Sequence, residues 1–103
     1  MVERGYVMKQ LSSIDKIEDL VMFTGVILEK GEGFLLVGDD EKKARVYCSE
    51  CDELKISEPV LVAGTVIGLG EVIEVACDLL ARIDLDTHNM FKKVARLLDL
   101  RRF

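Results

Sequence analysis

Cys48-Ser-Glu-Cys51 is the tightest cluster of chemically able side chains in the sequence. It has the C-x-x-C spacing of half a zinc site. A structural zinc ion takes four ligands, and the other soft donors, Cys77 and His88, each stand alone. Without a second pair the motif indicates no metal, and Cys48 and Cys77 are expected as small buried apolar side chains. A redox pair at Cys48 and Cys51 lacks the βαβ setting of thioredoxin-like motifs. His88 reads as a polar residue in the first turn of a helix. No Ser–His–Asp or Cys–His arrangement is visible, and the carboxylates are scattered, mostly through turns. Gly31-Glu-Gly33 and Gly68-Leu-Gly70 are followed by no phosphate-binding helix, so they are turns and not nucleotide loops. The chain is read as non-enzymatic, with no catalytic residue, no metal and no cofactor.

The elements around these residues follow from apolar spacing. Val21-Met-Phe-Thr-Gly-Val-Ile-Leu28 and Val60-Leu-Val-Ala-Gly-Thr-Val-Ile67 read almost alike. Each alternates large apolar residues up to a glycine, which predicts a strand with one buried face. Glycine inside a strand marks a bend, a bulge or the close approach of another backbone. Two such strands point to a small, strongly curved sheet with corners at Gly25 and Gly64. The first strand runs from about Leu20 to Lys30, a hairpin leads into Phe34–Val37, and a charged turn leads into Ala44–Cys48. There Arg45 and Tyr47 alternate against Val46 and Cys48, so they share the outward face. The polar stretch from Ser49 to Pro59 is a connection with room for one helical turn. Strands from Val60 and from Glu71 to about Ile83 follow, with a bulge expected around Ala76-Cys77.

Ahead of the first strand, residues 1–10 form either a loose arm or an added edge strand. Leu11–Asp19 has room for one helical turn capped by Ser12 or Ser13. The C-terminal stretch is an amphipathic helix, with Asp86 or Thr87 as N-cap. Met90, Phe91, Val94, Leu97 and Leu98 form its apolar stripe, and Lys92, Lys93, Arg96 and Asp99 lie on the other side. Arg101 and Arg102 fall near its negative end.

Composition narrows the function classes. The 103 residues suffice for one domain with one core, and 50% apolar content argues against global disorder. A net charge of −5 opposes tight, non-specific binding to phosphate backbones. No apolar run is long enough to span a bilayer, and no signal-peptide layout opens the chain. With an odd count of 3 cysteines, a cytoplasmic, reducing setting and no membrane association are expected.

Three strands, a longer break, two strands and a helix: this order resembles the OB-fold, an all-β, five-stranded Greek-key barrel. Within that fold the closest resemblance is to the middle and small subunits of the single-stranded DNA-binding replication protein A family. It rests on Ile14-Asp-Lys-Ile-Glu-Asp-Leu followed by Val21-Met-Phe-Thr-Gly-Val-Ile27, and on a helix after the fifth strand. The domain plan is then an N-terminal arm at 1–10, a barrel at 11–85 and a helix at 86–103. The resemblance implies that the first and fourth strands, the two glycine-bearing segments, lie side by side. It implies a binding surface around strands two and three, where Lys30, Phe34, Lys42, Lys43, Arg45 and Tyr47 are available. Arg45 would contact phosphate and Tyr47 would stack on a base. The ordinary alternative is a solvated strand face, since cations and aromatics are sparse there and Glu29, Glu32, Asp39, Asp40 and Glu41 repel phosphate.

In that family the C-terminal helix joins subunits. Met90, Phe91, Val94, Leu97 and Leu98 would therefore meet other OB-fold subunits or a second copy, unless they fold back over the barrel. The function expected is that of a non-enzymatic subunit of a replication-protein-A-like, single-stranded DNA-binding complex. Its role would be mainly assembly, with modest DNA contact. The alternatives are a protein-interaction OB module in a repair complex with no nucleic-acid role, and RNA or tRNA binding by the same face.

Overall fold

Period-two alternation becomes six strands in the computed structural model, which describes residues 5–39, 41–49 and 53–100. They are β1 (Val7–Met8), β2 (Leu20–Gly31), β3 (Phe34–Gly38), β4 (Lys43–Tyr47), β5 (Pro59–Gly68) and β6 (Val72–Arg82). One helix, α1 (Leu85–Leu100), follows. The strands are ordered β2-β3-β4-β6-β5, and β5 pairs back onto β2 to close the barrel. The two look-alike segments are therefore neighbours: β2 and β5 run antiparallel from Leu20 opposite Thr65 to Val26 opposite Pro59. β4 and β6 form the parallel seam, from Lys43 opposite Val72 to Tyr47 opposite Ala76.

The paired glycines answer a crowding problem. Within the barrel β2 is shared between two neighbours, its first half against β5 and its second half against β3. At the handover a Cβ on Gly25 would lie 2.5 Å from Val37 Cγ1 and 3.0 Å from the Gly38 carbonyl oxygen. On β5, a Cβ on Gly64 would run into the Ala76 carbonyl oxygen and stand 2.8 Å from Val75 Cγ1. That second crowding sits beside an irregularity in which Ala63 faces Leu79 and Gly64 faces Cys77. The extra residue is Asp78, one position beyond the bulge expected at Ala76-Cys77.

The barrel interior holds the inward half of each alternation. Val21, Phe23 and Ile27 come from β2, Leu35 and Val37 from β3, Ala44 and Val46 from β4. Val60, Val62 and Val66 come from β5, and Ile73 and Val75 from β6. Leu11 and Ile14 join the same cluster from the segment before β2. That segment forms a 3-10 turn at Leu11–Ser13 with Gln10 as its N-cap and no side-chain cap bond. Ser12 and Ser13 thus lie within the turn, and the expected serine cap is replaced by burial of Leu11. Of the N-terminal arm, Val7 and Met8 pair in parallel with Val21 and Met22, adding an edge strand. Tyr6 donates a hydrogen bond to Asp78 Oδ2 at 2.6 Å, and that bond pushes the phenol's pKa up. Between β4 and β5 the described residues 53–58 form turns, not a helical turn.

Helix α1 begins earlier than its best-looking cap residues suggested. Asp84, not Asp86 or Thr87, closes its first turn: the Thr87 amide donates to Asp84 Oδ1 at 2.7 Å, and the His88 amide to the Asp84 carbonyl at 3.0 Å. The hydrogen bonds from Thr87 lower the Asp84 carboxyl below its ordinary 3.8. A lowered folded-state pKa means that the unfolded chain takes up the proton first. The cap's contribution is therefore full above the ordinary carboxylate value and is lost as pH falls through the lowered one. Asp84→Ala is expected to melt at lower temperature than the unchanged protein near neutral pH. The gap should narrow in melts taken below about pH 4. A gap that stays constant with pH would remove Asp84 as the cap. The sequence readings for Asp40, Cys51, Arg101 and Arg102 lie outside the described residues.

Candidate functional site

Three strands build the outward face on which the candidate contacts were expected. Phe34 lies opposite Tyr47 and Leu36 opposite Arg45 on the β3–β4 ladder. These outward positions alternate with the buried Leu35, Ala44 and Val46. The Arg45 guanidinium stands 5.5 Å from the centroid of the Phe34 ring, within cation–π range. The same ring packs close to Gly31, where any side chain would overlap it. Phe34 is half-buried between these neighbours, whereas Tyr47 is exposed. Lys43 shares the outward parity of Arg45 and Tyr47.

Glu74 completes this face. It lies opposite Arg45 on the parallel β4–β6 seam. Its Oε1 accepts a hydrogen bond from the Tyr47 hydroxyl at 2.7 Å and lies 3.7 Å from Arg45 Nη1. Arg45, Tyr47 and Phe34 thus come together, as expected, but around a carboxylate. Lys30 is not among them: it faces the inward residue Leu35 across the hairpin, one position beyond a bulge between Ile27 and Glu29. That parity turns it away from Phe34. Lys42 and Lys43 border an open groove of about 300 Å³ at one end of the barrel, shared with Asp39, Glu41, Glu71 and Val72. Its mixed charge gives no continuous basic track.

The helix divides its side chains between two surfaces. His88, Phe91, Lys92 and Ala95 follow the i, i+3, i+4, i+7 spacing of one face. His88 and Ala95 are buried, and Phe91 and Lys92 half-buried, where α1 lies against β2 and β5. His88 is not a solvated first-turn residue. Its Nδ1 lies 2.8 Å from Thr24 Oγ1, both groups being buried. Phe91 lines a crevice with Leu11, Thr24 and Ala95, so it lies on the barrel side of the helix. The rest of the predicted stripe remains outside: Met90 is 66% exposed, Leu97 59%, Val94 40% and Leu98 39%. Cys48 and Cys77 pack partly buried against the core, as expected of small apolar side chains. Among the described residues, no three His, Cys, Asp or Glu side chains converge as a metal site.

No family model matches the sequence, and no curated protein matches it. Solved structures do match. The telomere capping protein Ten1 from Saccharomyces pombe superposes with a TM-score of 0.74 at 11% identity, covering 92% of this chain and 98% of that one. Replication protein A of U. maydis, bound to single-stranded DNA, superposes with a TM-score of 0.73 at 14% identity, covering 93% and 91%. The barrel is an OB-fold. The S. pombe Stn1–Ten1 complex also matches, with a TM-score of 0.69 at 13% identity, covering 92% and 96%. At these identities the likeness is one of fold. Coverage is nearly end to end on both sides. Among the described residues, no helix is long and apolar enough to cross a membrane.

Two residues that matter, Glu74 on the surface of the OB-fold and Thr24 buried under its helix, escaped the sequence reading. Glu74 sits in an apolar strand as Val72-Ile-Glu-Val75, and its outward parity was available. Its neighbour across the parallel seam was not. Thr24 interrupts an apolar run, Met22-Phe-Thr-Gly25, which is a signal that a buried polar partner exists.

Proposed function

We propose that the chain is a non-enzymatic OB-fold subunit of a replication-protein-A-like complex that acts on single-stranded DNA in a reducing, cytoplasmic setting. It contributes mainly assembly through α1. The observation that carries this reading is the outward apolar stripe of Met90, Val94, Leu97 and Leu98, left exposed after the opposite helix face has docked on the barrel. Burying each such side chain against a partner helix contributes about 1.5–3 kcal/mol. Left bare, the stripe favours aggregation. The match to the Stn1–Ten1 complex supports an OB-fold subunit as the occupant. Size-exclusion chromatography with light scattering, on the protein alone and mixed with candidate OB-fold subunits, tests it. A larger species is expected, lost in the Val94→Glu/Leu97→Glu double variant while that variant's melting temperature is kept. A monomer in every mixture would end the assembly role.

A second reading, a protein-interaction OB module without nucleic-acid contact, is favoured by one observation. Glu74 already engages the best phosphate-binding side chain, Arg45, and the exposed aromatic, Tyr47.

A further inference from the structure

Glu74 lies in the middle of the only aromatic and cationic cluster on the β3–β4–β6 face, among the described residues. Its position is fixed from three sides. The parallel register sets it beside Arg45. The Tyr47 hydroxyl donates to its Oε1. On the third side β5 presents Gly68, opposite Glu74 in the ladder, where a Cβ would overlap Glu74 Oε2. Glycine there gives the carboxylate room to lie across the strand. The result is an anion seated on the donors that a phosphodiester would seek on this surface.

We propose that Glu74 sets the nucleic-acid affinity of this face by acting as an internal stand-in for phosphate. A single strand binds only by displacing it from Arg45 and Tyr47. The inference rests on reading this face as the DNA-contact surface. Exchange of one anion for another on Arg45 yields little, and the displaced carboxylate stays near the incoming charge. A carboxylate about 6 Å from a phosphate in a water-like dielectric weakens that contact roughly threefold. Holding Arg45 in an existing ion pair weakens it further. Weak binding is thus built into the strand pairing, beyond what the net charge of the chain imposes.

Fluorescence anisotropy with a labelled thymidine oligonucleotide at low salt tests this on the full chain. Glu74→Gln keeps an acceptor for Tyr47 and removes the charge. It is expected to tighten binding about five- to tenfold at low salt. The slope of log affinity against log salt should steepen by about 0.7, the signature of one added phosphate contact on a single strand. Adding Arg45→Ala to Glu74→Gln should cancel the gain. Glu53→Gln, an equal charge change on the exposed β4–β5 connection, should stay within about twofold of the unchanged protein. If the unchanged protein binds and Glu74→Gln binds equally, or if Glu53→Gln tightens as much, the role of Glu74 is overturned and the DNA reading of the face stands. If neither the unchanged protein nor Glu74→Gln binds at the lowest salt, both are overturned.

Discussion

Gly64→Ala is expected to lower the free energy of unfolding by about 3 kcal/mol, the upper end of ordinary overpacking. One methyl group does this because its neighbours cannot yield. The added Cβ meets the carbonyl oxygen of Ala76, which is held in the seam that β6 makes with β4 and β5, and stands 2.8 Å from the buried Val75. Relief would require β5 to move off β6 at the irregularity where Asp78 is accommodated, and β5 also carries the closing ladder to β2. Urea denaturation of the variant measures the loss. Gly5→Ala is the control, since a Cβ there meets nothing within 4 Å, and it should change stability by less than about 0.5 kcal/mol. Equal midpoints for the two variants would show that β5 and β6 are not in close approach at Gly64.

His88→Ala is expected to cost about 2–4 kcal/mol, from the cavity left under α1 and from a Thr24 hydroxyl stripped of its partner. The bond between Nδ1 and Oγ1 joins positions 64 residues apart and is buried at both ends, so no water replaces the lost group at low cost. Of the helix's described side chains, only His88 and Ala95 are buried, so His88 is the one large side chain fully enclosed under it. A double-mutant cycle with Thr24→Val separates the hydrogen bond from the packing. A coupling of about 1 kcal/mol or more is expected, and one below about 0.3 would make His88 a space-filler. Far-UV circular dichroism should report the helix fraying in His88→Ala before the barrel melts.

Much of this architecture was legible because alternation is a strong signal where one face is buried. The five barrel strands and the C-terminal helix follow from apolar spacing and from the two strand glycines, and the β2–β5 neighbourhood was implied by the resemblance of their order to the OB-fold. The parts that were not legible depend on pairing between distant segments. β1 has two residues and no room to alternate. Asp84 and Asp86 are equal caps by residue type, and only the path of the chain leaving β6 decides which one caps. The apolar stripe of the helix suggested that Phe91 and its neighbours act together. Docking instead chose the face carrying His88 and Ala95, because a histidine fits over Thr24. In the candidate site, Arg45 and Tyr47 were found from one strand's parity, and Glu74 was missed because its strand joins theirs only through the parallel seam.

That parallel seam and the β2–β5 ladder have a kinetic meaning. They are the two joints between a three-stranded meander, residues 20–47, and a hairpin, residues 59–82. Each half can zip up locally, with tight turns at Gly31–Phe34 and Gly68–Val72. Neither half can bury its own apolar face alone. The rate of folding is then governed by how often the halves meet, a non-local search of the kind that slows barrels. The polar connection between Tyr47 and Pro59 becomes a tether, and its length sets the local concentration of one half around the other.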